Sequence, residues 1–334
     1  MTEAVKNIYV TTQGATVRKE TGTIVVAFGD EILVQTPIKE MGMLVLFGNI
    51  QVTTQALTAL LQENIDVAFL TQNGHFKGKV VTAKTKNCFL RRDQHHNFAN
   101  PAFALELAKK TVKAKHANGI QLLSDYSRNS NNNFRFENRG DLEVLLLSMD
   151  SAINMEQLLG YEGMAAKLYF EDYGKCFTGE LKFIKREYFP SPDPVNALLS
   201  FGYSFIAREV QAILECEGLD PYIGFYHQLT YGRASLSLDL IEPFRHGFID
   251  RLVLKLVNKK MLGVEDFETG ENGGVYLKKS SITIFIKAYE EACNRQNNIY
   301  KNIDEVSFRK IFWQMVANLK SVLKQEETYK PWEA

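Results

Sequence analysis

Residues 91–119, Arg-Arg-Asp-Gln-His-His-Asn-Phe-Ala-Asn-Pro-Ala-Phe-Ala-Leu-Glu-Leu-Ala-Lys-Lys-Thr-Val-Lys-Ala-Lys-His-Ala-Asn-Gly, mark the point where this chain changes texture. Asn100 suits an N-cap, and Pro101 suits the first helical turn, where a missing N–H costs nothing. The spacing predicts a helix from there to about His116, stopped by Asn118-Gly119. Lys109, Lys110 and Lys113 would project from it at neighbouring turns.

Upstream the signals are those of strands. Ile8 to Val10, Thr23 to Phe28, Ile32 to Val34 and Met43 to Phe47 are short β-branched or aromatic runs, punctuated by Gly22, Gly29-Asp30 and Gly48-Asn49. Thr53 to Asn64 interrupts them with the spacing of a short helix, capped by Thr53 or Thr54. Ile65 to Leu70 and Phe76 to Val81 resume as strands around Asn73-Gly74. Downstream of the quoted stretch the spacing is helical almost throughout. Asp141 to Leu159 and Glu162 to Tyr173 read as a broken pair, followed by Val195 to Glu217 behind an Asp193-Pro194 start. Leu236 to Met261, Ile282 to Asn294 and Val306 to Gln325 follow. Ser127 to Asn133, rich in asparagine, reads as a polar loop.

The fold class is therefore α+β: a small β-rich domain over residues 1–84, then a larger all-helical domain over residues 85–334. A chain of 334 residues exceeds the usual size of a single core, which agrees with two domains. Exposed sheet surface in so small a first domain favours self-association, most simply as a two-fold homodimer.

Composition excludes several classes. With 45% apolar and 23% charged residues the chain reads as soluble and globular. No run approaches membrane-spanning length and the first residues lack the apolar core of a signal peptide, so no membrane partner and a cytoplasmic location are expected. The cysteines at 88, 176, 216 and 293 are scattered without ligand pairing, which argues against structural zinc. Net charge is zero, yet residues 77–115 hold ten Lys or Arg against Asp93 and Glu106. That window is either a solvated face or a phosphate-binding surface.

Three residues stand in distinctive surroundings: Glu162 in Gly-Tyr-Glu-Gly-Met-Ala-Ala-Lys-Leu-Tyr-Phe (160–170), His227 closing Asp-Pro-Tyr-Ile-Gly-Phe-Tyr-His (220–227), and Glu242 in Ser-Leu-Asp-Leu-Ile-Glu-Pro-Phe-Arg (237–245). Two carboxylates and an imidazole form an oxygen and nitrogen set suited to Mg²⁺ or Mn²⁺. Taken singly, each has an ordinary structural explanation, as a surface helix glutamate or a satisfied buried histidine. Gly160 and Gly163 leave little bulk beside Glu162. Asp239, Glu242 and Arg245 recur every three residues, so a helix puts them on one face. They form either a salt-bridge ladder or a ligand, its outer partner and a phosphate clamp.

These stretches resemble the motifs of the CRISPR-associated integrase family, the catalytic protein of spacer acquisition. Residues 160–170 resemble its glutamate motif, and Arg186 to Tyr203 its Pro-x-x-Asp-Pro-x-Asn-Ala-Leu-Leu-Ser helix start. Residues 220–227 and 236–245 resemble its histidine and acidic motifs, in the same order, and the resemblance spans nearly the whole chain. It implies Mg²⁺ or Mn²⁺ held by Glu162, His227 and Glu242, with Asp239 beside them. Arg245 is a candidate for contacting phosphate or fixing the carboxylates; Arg186 and Asn196 match as scaffold or DNA contacts. It also implies a DNA integrase and endonuclease that inserts short donor DNA into the CRISPR repeat. Homodimers and a small CRISPR-associated partner protein are implied as well. Residues 228–234 (QLTYGRA) depart from the proline-bearing version of close relatives, which leaves the subtype open, but no candidate ligand is missing. The same residues also suit a stand-alone nuclease for branched DNA, or a non-catalytic DNA-binding scaffold.

Overall fold

The structure, a computed structural model, describes residues 6–72, 76–80, 88–129, 134–188, 190–294 and 307–334. The expected Asn73-Gly74 turn, Lys84, Lys86 and the end of the asparagine-rich loop lie outside them. The chain divides into two compact units, residues 1–84 with 278–283, and residues 85–277 with 284–334.

The first unit is built on two sheets. Its elements are β1 (Lys6–Val10), β2 (Thr16–Glu20), β3 (Thr23–Phe28), β4 (Glu31–Pro37), β5 (Met41–Phe47), β6 (Gln51–Val52), α1 (Thr54–Gln62), β7 (Asp66–Leu70) and β8 (Phe76–Val80). One sheet runs β1-β5-β7-β8, the first three strands parallel and β8 antiparallel to β7; the other runs β4-β3-β2-β6. Ile24, Val26, Leu44, Leu46 and Val67 share a core with Leu60 of α1. Thr53 caps α1, its hydroxyl accepting the Ala56 N–H at 3.2 Å. Two strands escape the sequence reading for the same reason. β2 buries only Val17 among polar neighbours, and β6 is two residues long, so neither shows an apolar run.

The second unit contains α2 (Cys88–Phe98), α3 (Pro101–Asn129), α4 (Arg139–Asp150), α5 (Met155–Lys175), α6 (Pro194–Cys216), α7 (Ser235–Phe244) and α8 (Arg251–Asn258). A hairpin of β9 (Phe267–Thr269) and β10 (Val275–Leu277) follows, then α9 (Lys279–Asn294), which begins within the stretch grouped with the first unit, and α10 (Phe308–Leu323). The hairpin makes the unit mostly rather than wholly helical; its three-residue strands are too short to show a period of two.

Two helix boundaries differ from the sequence reading. α3 runs on past Asn118-Gly119 to Asn129. Gly119 is a packing site instead of a stop: a Cβ there would stand 2.9 Å from the Tyr169 ring and 3.1 Å from that of His246, so only glycine lets α5 approach this closely. The break between α4 and α5 falls at residues 151–154, where the Asn154 side chain accepts the Gln157 N–H at 2.9 Å and restarts the helix. Gly160 lies inside α5. The Asp193-Pro194 start of α6 is present, with Asp193 accepting the Asn196 N–H at 2.8 Å.

Between α7 and α8 the chain stays helical, but residues 245–250 wind as a π-helix. Pro243 supplies no N–H to the ladder, and its carbonyl accepts from the buried Asn118 side chain at 2.8 Å. The wider turn brings Arg245, His246 and Asp250 inward together.

Candidate metal centre

Glu162, His227, Asp239, Glu242 and Arg245 converge in the second unit although 65 residues separate the first two in sequence. α5 supplies Glu162, half-buried; Gly160 and Gly163 beside it face open space. His227 stands in the loop after α6, and α7 supplies Asp239 and Glu242, both buried.

The His227 loop is held at two points. Asp239 accepts the backbone N–H groups of Phe225, Tyr226 and His227 at 2.7, 3.0 and 2.9 Å, and its Oδ1 lies 2.6 Å from His227 Nδ1. Gly224 makes room for this carboxylate, since a Cβ there would sit 2.6 Å from Asp239 Oδ2. At the other point, Gln94 of α2 donates to the Asp220 and Ile223 carbonyls and accepts the Asp220 N–H at 2.9 Å. With Nδ1 on Asp239, the ring directs Nε2 to Glu242 Oε1, 3.7 Å away. A carboxylate behind the imidazole is the usual orienting partner of a histidine ligand.

A residue outside the expected set occupies the centre. Lys115 of α3, 8% exposed, places Nζ 2.6 Å from Glu162 Oε1 and 2.9 Å from Glu242 Oε2. Burial disfavours its charge, but Glu162 and Glu242 outweigh that and raise its pKa. Glu242 is also paired with Arg245, Nε to Oε1 at 2.8 Å, and the Arg245 guanidinium stacks 4.6 Å over the Tyr203 ring. Arg245 is thus a buried partner of Glu242. Behind the carboxylates lies His116, buried, 4.0 Å from Glu162 Oε1, with neither ring nitrogen hydrogen-bonded. Burial and the neighbouring Lys115 push its pKa well below the ordinary value, so it is neutral.

The donors suit a hard divalent cation in kind: two carboxylates and one imidazole whose far nitrogen is already anchored. Glu242 Oε2 is buried and already faces a positive charge, the Lys115 ammonium at 2.9 Å. Among the described residues, however, no three such groups stand closed around one point, because the Lys115 ammonium lies between the carboxylates.

Burial would raise the Glu242 pKa, but Arg245, Lys115 and His227 together bring it from 4.5 to about 2. A carboxylate depressed on folding contributes stability that is present above pH 4.5 and is lost as pH falls toward 2. The size is about 3 kcal/mol at 1.36 kcal/mol per unit. Acid titrations should therefore show a drop in unfolding midpoint between pH 4.5 and 2 that Glu242→Gln lacks. Parallel curves for the two proteins would remove Glu242 as the source.

The remaining expected residues have local partners. Arg186 donates to Asn196 Oδ1 at 2.7 Å and Ser200 Oγ at 2.9 Å, and Asn196 is fully buried. Both hold the start of α6. Lys109 pairs with Glu106 at 3.1 Å, Lys110 donates to the Tyr329 carbonyl and Lys113 pairs with Asp150, all three half-buried. Each of these three lysines of α3 thus has a local partner.

A family model of CRISPR associated protein Cas1 matches residues 8–291. The chain is 35% identical over 291 residues to CRISPR-associated endonuclease Cas1 3 of Thermus thermophilus, covering 86% of this chain and 85% of that one. It is 30% identical over 327 residues to CRISPR-associated endonuclease Cas1 1 of Chlorobaculum tepidum, covering 96% and 95%. In fold it is similar to a CAS1 protein from Thermotoga maritima, with TM-score 0.82 and 24% identity over 98% of this chain and all of that one. It is equally similar to a casposase bound to its integration product, TM-score 0.82 at 22% identity, covering 97% and 92%. Among the described residues no helix is long and apolar enough to cross a membrane.

Proposed function

The chain belongs to the CRISPR-associated Cas1 family, and from that premise we propose that it is a metal-dependent DNA integrase and endonuclease of CRISPR adaptation. It inserts short donor DNA into the repeat of a CRISPR array by phosphodiester transesterification, and acts in the cytoplasm. The carrying observation is the convergence of Glu162, His227 and Glu242, from α5, the loop after α6 and α7: Lys115 bridges the two carboxylates and His227 Nε2 faces Glu242 at 3.7 Å.

In the reaction a donor 3′ hydroxyl attacks a phosphate of the repeat. A new P–O bond forms, the existing bond to the adjoining 3′ oxygen breaks, and that oxygen leaves with a proton. One phosphodiester replaces another, so no external energy source is required. A Mg²⁺ or Mn²⁺ held by Glu162, His227 and Glu242 would neutralise the phosphate and acidify the attacking hydroxyl. Asp239 fixes the His227 ring and the loop bearing it. Arg245 fixes Glu242.

The test is an integration assay with a linear donor bearing free 3′ hydroxyls and a repeat-containing target. Covalent donor–target product supports the reading. Cleavage of branched DNA without joining would make the protein a stand-alone nuclease instead.

Solved relatives in fold include a complex of Cas6-RT-Cas1 with Cas2. By that likeness we assign this chain a small CRISPR-associated partner, and by the proposed reaction double-stranded DNA. Its homodimer is assigned to the β-rich unit, where β4 is an edge strand and Phe28, Ile32 and Leu33 are exposed at 50, 50 and 37%. An apolar edge of this kind invites pairing with another copy. Sedimentation at micromolar concentration should give twice the 38.0 kDa monomer mass, and Ile32→Lys with Leu33→Lys should return the monomer. A wild-type monomer that still joins both donor ends to one target would rule the dimer out.

A further inference from the structure

We propose that Lys115 is the metal site's own counter-cation: its ammonium holds Glu162 and Glu242 together and must leave them before a divalent cation can enter. The inference rests on the metal-binding reading given above and adds a competitor that belongs to the chain itself.

Three observations carry it. Lys115 reaches both carboxylates at once, 2.6 Å from Glu162 and 2.9 Å from Glu242, and the two belong to separate helices, α5 and α7. Without a cation between them, two carboxylates this close repel, strongly so where little water screens them. The ammonium is itself buried, 8% exposed, so these carboxylates serve it in place of water. Finally, the neighbouring guanidinium is already committed, since Arg245 takes Glu242 Oε1 at 2.8 Å. A compact ammonium and a divalent cation therefore contend for the same pair of oxygens.

The competition has a sign. Removing the ammonium leaves the carboxylates without a cation and should tighten metal binding in the absence of DNA. Free Mn²⁺ can be followed by electron paramagnetic resonance while DNA-free wild type, Lys115→Met and Glu162→Gln are titrated. Lys115→Met should bind Mn²⁺ about tenfold tighter than wild type, or more. In chelator its melting temperature should fall below that of wild type, and Mn²⁺ should restore it by a larger increment. Equal or weaker Mn²⁺ binding by Lys115→Met, with wild-type binding still lost in Glu162→Gln, would overturn the Lys115 inference alone. Wild type that binds no Mn²⁺, or binds it undiminished after Glu162→Gln, would overturn the metal reading and this inference with it. Should Lys115→Met not fold, wild type labelled with ¹³C at lysine Cε gives the answer. Mg²⁺ should shift one lysine signal saturably, and no shift at saturation defeats the proposal.

Discussion

Glu162→Gln should lower donor joining roughly a thousandfold in Mg²⁺ or Mn²⁺ and leave the fold intact. The substitution keeps the size of the side chain and removes the charge that a cation needs. Loss of several kcal/mol of charge stabilisation, at 1.36 kcal/mol per decade, gives that factor. The fold should survive because Glu162 is half-buried on α5 beside glycines that face open space. His227→Ala and Glu242→Ala should match it in activity. Asp239→Asn should cost less, since one amide oxygen can still accept part of what the carboxylate accepts from the loop. Near-normal joining by Glu162→Gln in Mn²⁺ would sink the catalytic assignment and leave the non-catalytic DNA-binding scaffold as the better account.

What the sequence made legible follows from what is local. The Asp193-Pro194 start, the Thr53 cap and the apolar runs of β3 and β5 are set by residues within a few positions of one another, and each is present. Gly119 misled because glycine has two uses: it ends helices, and it admits close neighbours. Only the Tyr169 and His246 rings, 50 and 127 positions away, decide which applies. The candidate ligands were legible through their surrounding motifs rather than through spacing. Lys115 was not. In the sequence it is one of ten positive residues in a basic window, and nothing local separates it from Lys113, which pairs at the surface. Its burial between two carboxylates is a property of α3, α5 and α7 packed together. Gln94 escaped similarly, because its partners, the Asp220 and Ile223 main-chain groups, lie over 120 positions away.

Asp250→Ala should be the most destabilising single change near the site, lowering stability by about 3–5 kcal/mol, the usual cost of breaking a buried charged network. Asp250 is fully buried at the end of the π-helical turn. Its carboxylate accepts the Tyr169 hydroxyl at 2.9 Å and the Tyr203 hydroxyl at 2.5 Å, and lies 2.8 Å from His246 Nδ1. The Tyr173 hydroxyl donates to its main-chain carbonyl at 3.0 Å. One side chain thus ties α5 and α6 to the turn that begins at Arg245. Alanine leaves two phenols and an imidazole in the interior without an acceptor. Those donors cannot turn to water, since Tyr169 and Tyr203 are buried and His246 is stacked 3.8 Å from the Tyr169 ring. Asn should recover part of the loss, because an amide oxygen can still accept from one tyrosine. Urea unfolding measures the effect, and an Asp250→Ala unfolding free energy within about 0.5 kcal/mol of wild type would show that the tyrosines find other partners. Because Arg245 opens the same turn and stacks on Tyr203, the destabilised protein should also lose the pairing that holds Glu242. Donor joining by Asp250→Ala should therefore fall even at temperatures where the chain remains folded, with Asp250→Asn intermediate in both measurements.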